Sequence, residues 1–124
     1  MKFSEFEIDA GPLIEAYEPG QVRIQGQDYR GSLAVTAGQV LNDWGPPQFE
    51  ALAPAHFEAL AALAPQVVVL GTGARQRFPE PALYAVLLAQ GIGVEIMDTG
   101  AACRTYNILA GEGRRVVVAL ISDA

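Results

Sequence analysis

The stretch Val67-Val68-Val69-Leu70-Gly71-Thr72-Gly73 decides the fold of this chain. Its four apolar residues follow one another without alternation, as expected of a strand that is covered on both faces, and glycines then end it. Two helical segments and two strands follow: a helix from about Pro81 to Gln90, strand Val94–Met97, a helix from about Gly100 to Ala110 and strand Val116–Ile121. This β-α-β-α-β order predicts an α/β fold with a mixed sheet that is at least partly parallel.

The chain of 124 residues fits a single domain, 1–124, with two portions. Residues 1–43 have the pattern of a β meander, because turns at Pro19-Gly20 and Gly26-Gln27-Asp28 separate short runs rich in β-branched and aromatic residues. Residues 54–124 are the α-β-α-β-α-β portion, which begins with a helix at Ala55–Ala64. The strands predicted within the meander are Leu13–Tyr17, Gln21–Ile24, Ser32–Thr36 and Val40–Leu41.

Two segments of the second portion have compositions that predict their positions. Glu95 interrupts strand Val94–Met97, and a carboxylate inside a fully covered strand is costly, so we expect this strand at a sheet edge. The all-apolar strands Val67–Leu70 and Val116–Ile121 are then central. The helix Pro81–Gln90 is apolar on nearly every side, which predicts burial on more than one side or a homo-oligomer contact.

The charge and the single cysteine restrict the class of protein. Fourteen acids against 8 bases give a net charge of −6, whereas nucleic-acid binding needs a basic face, so we expect no nucleic-acid partner. One cysteine cannot form an internal disulfide, and no apolar run approaches the ~20 residues needed to cross a bilayer. The opening MKFSEFEIDA resembles neither a secretory signal nor a transit peptide. We therefore expect a soluble, cytoplasmic protein without a membrane span.

Arginines account for seven of the eight bases, and four of them form two close pairs, Arg75/Arg77 and Arg114/Arg115. The planar guanidinium fits a carboxylate or a phosphate, so a small-anion site is one interpretation of such pairs. Ordinary surface ion pairs are the simpler alternative.

Two glycine-containing loops follow predicted parallel strands. Gly71, Thr72 and Gly73 come after the first strand, and Asp98, Thr99 and Gly100 come after the next. In open α/β sheets, ligands bind in the crevice outside such strand ends, and helix N-termini there offer N–H groups to anions. One interpretation is a small-anion crevice there, bordered by Arg75 and Arg77. The alternative is that the glycines only turn the chain and that Asp98 or Thr99 caps the next helix.

The last helix carries an unusual series of polar residues, Cys103-Arg104-Thr105-Tyr106-Asn107. Helical spacing places Ala102, Thr105, Tyr106 and Leu109 on one face, with Arg104 and Asn107 on the opposite face and Cys103 near the boundary. The functional interpretation is a recognition surface or groove lined by Arg104 and Asn107. The alternative is a solvated face on which Asn107 bonds to local backbone.

No catalytic set is visible in the sequence. Cys103 lies near a helix N-terminus beside Arg104, which can lower a thiol pKa. However, a nucleophilic cysteine normally needs a histidine as its base, and the single histidine, His56, lies in a different predicted helix. An inert, structural Cys103 is therefore the favoured interpretation. The sequence shows no cluster of metal ligands, and we predict neither a metal nor a cofactor.

Four motifs resemble a small α/β family of unknown biochemical function. They are VVVLGTG (67–73), GIGVEIMDT (91–99), AACRTYNIL (101–109) and EGRRVVVAL (112–120). Eukaryotic members of that family include a mitochondrial assembly factor for respiratory complex I and an adipogenesis-associated protein. The resemblance implies three layers: a central mixed sheet, helices on one face, and a small antiparallel β layer plus a helix on the other.

For function, the resemblance implies a non-enzymatic, assembly-factor-like domain that binds a protein partner. The alternative is binding or turnover of a small anionic metabolite in the crevice between the two glycine-containing loops. The residues proposed to bind a ligand or partner are Gly71, Thr72, Gly73, Arg75, Arg77, Asp98, Thr99, Cys103, Arg104, Tyr106 and Asn107.

Overall fold

Eight strands form two sheets within residues 11–122, the part of the chain that the computed structural model describes. The first ten residues, for which the sequence predicts no targeting signal, lie outside this part. The smaller sheet is antiparallel, in the order β1-β2-β3, with β1 (Ile14–Glu18), β2 (Gln21–Ile24) and β3 (Gln27–Arg30). The larger sheet has the order β5-β4-β8-β6-β7, with β4 (Leu33–Thr36), β5 (Gln39–Leu41), β6 (Val67–Gly71), β7 (Gly93–Met97) and β8 (Val116–Leu120).

The larger sheet is mixed, as predicted. β6 pairs in parallel with both β7 and β8, whereas β4 pairs antiparallel with β8 and β5. All five residues of β6 and of β8 are buried, which confirms that these apolar strands are central. β7 is the outermost strand, and Glu95 is exposed on it, so the predicted edge position is confirmed.

Three α-helices cover the larger sheet: α1 (Pro54–Ala61), α2 (Ala85–Ala89) and α3 (Thr99–Gly111). On one face, α1 and α2 pack with Trp44 over residues such as Val68, Leu70 and Val117. On the other face, α3 and the small sheet share a second core over residues such as Val69 and Val118. The three-layer architecture that the resemblance implied is confirmed.

The prediction of one meander over the first forty residues was wrong in its pairing. β1, β2 and β3 form the small sheet, whereas β4 leaves it and pairs with β8 at the far end of the chain. β3 was missed because Gly26-Gln27-Asp28 was interpreted as a turn. The turn is instead the two residues Gln25 and Gly26, both with positive φ (52° and 78°), as a tight hairpin requires.

The predicted helix Pro81–Gln90 is also corrected. A 3₁₀ turn at Pro81–Tyr84 precedes the short helix α2, because Tyr84, at φ −110° and ψ 19°, departs from helical geometry between them. Of α2 itself, Leu87 is buried and Leu88 is 54% exposed. The segment therefore buries one side only, and its apolar residues on the other side face outward.

Candidate functional site

The carboxyl ends of two neighbouring parallel strands bring the predicted site loops together. β6 and β7 run side by side in register, with Val67 opposite Gly93 and Gly71 opposite Met97. Three hydrogen bonds then join the loops. Thr72 N donates to Met97 O (2.9 Å), Thr99 N donates to Gly73 O (2.9 Å), and Gly73 N donates to Thr99 Oγ1 (3.0 Å). These bonds hold Thr72 and Gly73 of the first loop against Met97 and Thr99.

A crevice of about 180 Å³ opens beside the joined loops, under the β1–β2 turn. Its lining residues are Tyr17, Glu18, Pro19, Gly20, Gly73, Ala74, Asp98, Thr99, Gly100 and Ile121. Asp98 Oδ1 accepts a hydrogen bond from Ala101 N (2.9 Å), so Asp98 is the N-cap of α3, as the alternative interpretation expected. Glu18 and Asp98 are carboxylates and would repel an anion, so this lining disfavours the anionic ligand of the alternative interpretation.

The two arginines expected at this crevice are not among its lining residues. Arg77 forms an ion pair with Glu50 (3.3 Å) and lies over the ring of Phe49, 4.4 Å from its centroid. Arg77 N also donates to Thr72 Oγ1 (3.0 Å), and the same hydroxyl donates to the carbonyl of Arg75 (2.8 Å). Thr72 and Arg77 therefore hold their own loop against the 3₁₀ turn Phe49–Ala51.

Two polar side chains of α3 attach the small sheet to the rest of the molecule. Asn107 Oδ1 accepts a hydrogen bond from Ile14 N (2.9 Å), and Asn107 Nδ2 donates to Ile14 O (2.8 Å). Tyr106 is completely buried, and its hydroxyl donates to Pro12 O (2.6 Å). Burial raises the pKa of Tyr106 above its ordinary value. Asn107 therefore does not line an open groove with Arg104, because its amide is used within the fold.

Cys103 faces the core. Its side chain is completely buried, and this burial raises the pKa of the thiol to about 12, although Arg104 opposes the shift. A neutral, inaccessible thiol is a poor nucleophile. His56 is engaged elsewhere, since its Nδ1 accepts a hydrogen bond from Ala53 N (2.9 Å). These positions agree with the structural interpretation of Cys103.

The outward face of α3 carries Arg104 and Ile108, one helical turn apart. Arg104 is exposed, and its Nη1 donates to the hydroxyl of Tyr17 (3.4 Å). Ile108 is 62% exposed, which makes it one of the most exposed large apolar side chains in residues 11–122. Tyr17, Arg104 and Ile108 are hereafter called the α3 surface. Such a surface, which combines an exposed apolar side chain with an arginine and a tyrosine, has the composition of a protein contact.

Sequence reasoning missed Tyr17, which connects the crevice to the α3 surface. Its ring lies directly on Gly100, where an added Cβ would overlap the hydroxyl oxygen of Tyr17. The sequence predicts Gly100 only as the junction between a loop and the last helix, with no contact to β1. The contact joins β1 to α3, and no local pattern in either segment signals it.

Within residues 11–122, no group of three or more His, Cys, Asp or Glu side chains could hold a metal ion. No helix in the same range is long and apolar enough to pass through a membrane.

Comparison with known proteins identifies one family from both a family model and individual relatives. A family model described as "Protein of unknown function (DUF498/DUF598)" matches residues 14–121. The NADH dehydrogenase (ubiquinone) 1 alpha subcomplex assembly factor 3 of Danio rerio is 35% identical over 117 residues, which cover 93% of this chain and 67% of that protein. An uncharacterized protein of Rhodobacter capsulatus is 42% identical over 115 residues, covering 90% of this chain and 86% of its own length.

A solved structure supports the match at the level of the fold. The crystal structure of a Bordetella parapertussis protein, 39% identical, superposes with a TM-score of 0.83 over 90% of this chain and 96% of that one. Together with the assembly-factor relative, it confirms the family resemblance that the sequence motifs indicated.

Proposed function

Because this chain belongs to the DUF498/DUF598 family, we propose that it acts as an assembly-factor-like protein that binds another protein. The observation that carries the proposal is the 35% identity, over 93% of the chain, to a relative named as a NADH dehydrogenase assembly factor. An assembly factor holds a partner and needs no reaction of its own. We expect the protein to act in the cytoplasm, and cell fractionation tests this localisation.

The α3 surface is the contact that we assign to this partner. Ile108 supplies exposed apolar area, and burying a side chain of this kind stabilises a complex by roughly 1.5–3 kcal/mol. Arg104 lies one turn away and is held toward Tyr17, so its guanidinium is partly oriented before binding. The matching surface is therefore an apolar pocket with a carboxylate at its rim.

Affinity capture from extracts of the native host tests the proposal. The bait is the full chain, compared with Ile108→Asp and Arg104→Glu on the α3 surface. Arg30→Glu, an exposed position on β3, is the matched control for a charge reversal away from that surface.

We expect one stoichiometric partner, retained by the wild type and by Arg30→Glu and lost with both α3-surface variants. A partner that all four baits capture equally would place the contact elsewhere. The absence of any specific partner under all growth conditions would contradict the function itself.

A further inference from the structure

A second cavity lies at the opposite end of the larger sheet from the crevice. It has a volume of about 280 Å³, and its lining residues are Thr36, Ala37, Leu63, Pro65, Ala110, Gly113, Arg114 and Arg115. Pro65 and Arg115 precede strands β6 and β8, so the cavity lies at the amino ends of the parallel strands. Its lining contains two arginines and no acidic residue, in a chain whose net charge is −6.

The end of α3 fixes the position of Arg114. Gly113, at φ 80°, follows the helix, and its N–H donates to Ala110 O (3.0 Å). Arg114 N then donates to Leu109 O (3.1 Å), which completes a Schellman motif. These two hydrogen bonds define the backbone position of Arg114, whose exposed side chain lines the cavity.

Arg115 is held at three further points. Its N–H donates to Gln66 Oε1 (3.0 Å), its carbonyl accepts from Gln66 N (2.7 Å), and its Nε donates to Ala64 O (3.3 Å). The Nε bond orients the guanidinium plane, while the two terminal nitrogens make no hydrogen bond to other residues in 11–122. Each of those nitrogens carries two N–H donors, and the fork they form matches the oxygens of a carboxylate or phosphate.

We propose that this cavity binds the phosphate or carboxylate group of a small organic molecule, to which Arg114 and Arg115 donate hydrogen bonds. The apolar lining residues Leu63, Pro65 and Ala110 contact a short apolar portion of the same molecule. The volume is at the lower limit of small-molecule pockets, about 300 Å³, so the ligand is no larger than a single-ring compound. The site is separate from the α3 surface, and the proposal does not depend on the protein partner.

An ordinary structural role for the two arginines makes a different prediction. Cations near a helix C-terminus stabilise it through the helix dipole, and Arg114 and Arg115 follow the last turn of α3. In that case the arginines contribute to stability, and an added oxyanion binds no better than its uncharged counterpart. A binding experiment with matched ligands separates the two roles.

The test is titration of the ¹⁵N-labelled full chain with phenyl phosphate, benzoate and phenol, followed through its backbone amide signals. Phenyl phosphate and benzoate distinguish a phosphate from a carboxylate ligand, and phenol carries the ring without the anion. The variants are Arg114→Gln and Arg115→Gln, with Arg30→Gln as a control that removes the same charge from exposed strand β3. Thermal unfolding of each variant verifies that it is folded, and Arg114→Gln keeps the test valid if loss of the Arg115 Nε bond weakens the fold.

We expect phenyl phosphate or benzoate to shift the amides of Thr36, Ala37 and Gly113, with an affinity that falls as salt is added. Each cavity variant should weaken binding about tenfold, because each removes a charge-assisted hydrogen bond, whereas Arg30→Gln should leave it unchanged. Equal shifts with phenol, equal affinities in all variants, or no shift with either anion would overturn the proposal.

Discussion

Substitution of Asn107 by Ala tests how the small sheet is attached to α3. In the wild type, the Asn107 amide satisfies both the N–H and the C=O of Ile14, at 2.9 and 2.8 Å, so the side chain acts as a neighbouring strand would. Ile14 is completely buried. Removal of the amide leaves two backbone groups without partners, and each buried unsatisfied group costs about 1–3 kcal/mol.

We expect Asn107→Ala to lower the free energy of unfolding by about 2–4 kcal/mol, since Asn107 is half-buried and water can reach part of the vacated site. That is a large share of the roughly 5–15 kcal/mol by which domains are stable. Urea denaturation measures the loss, and hydrogen exchange at the amide of Ile14 reports whether β1 has detached. The matched control is Ile108→Ala, which truncates an exposed side chain of the same helix and should change stability by no more than about 0.5 kcal/mol. Equal effects of the two substitutions, with the Ile14 amide still protected, would refute this assignment.

Four further substitutions test other parts of the structure. Gly113→Ala places a Cβ at φ 80° and should destabilise the protein by about 1 kcal/mol in urea denaturation. Gly100→Ala forces Tyr17 aside and should change the fluorescence of that tyrosine and lower the melting temperature. For Cys103, the thiol pKa rises from 9.0 unfolded to about 12 folded, so stability should fall as pH rises above about 9, and Cys103→Ala should flatten that fall in a series of alkaline melts. Leu88→Asp adds a charge to the apolar outer side of α2 and should abolish any self-association seen by sedimentation; an unchanged sedimentation coefficient would argue against a contact through this helix.

The sequence was sufficient to predict which strands lie at the centre of the larger sheet and which strand lies at its edge. The apolar runs of β6 and β8 contain no polar residue that favours contact with water. These strands are therefore most stable where both faces of the sheet are covered by other layers. Glu95 predicted the edge position of β7 for the converse reason, because its carboxylate needs solvent. These predictions held because each depends on a local property of a few consecutive residues.

The sequence could not predict the pairing of the early strands. β4 pairs with β8 rather than with β3, and neither strand carries a signal that names its partner. The prediction of one helix after Pro81 was wrong for a related reason. A segment that is apolar on every side shows no preferred face from which its packing can be inferred.

The positions of the two loops were predicted from the sequence, but the contacts made by the neighbouring polar side chains were not. The parallel strands do bring the loops at Gly71–Gly73 and Asp98–Gly100 together, as expected. Arg77, however, pairs with Glu50, and Asn107 bonds to Ile14, so these polar side chains are used to join distant segments. Contacts between residues so far apart in the chain produce no periodic pattern from which they could be predicted in a single sequence.

The most direct test of the proposed protein-binding role is size-exclusion chromatography of extract from the native host, with the full chain followed by immunoblotting. We predict that part of the wild-type chain elutes in a complex larger than the free protein, and that Ile108→Asp, but not Arg30→Glu, moves it to the elution volume of the free protein. Elution of the wild-type chain only as the free protein, under all growth conditions, would contradict the account.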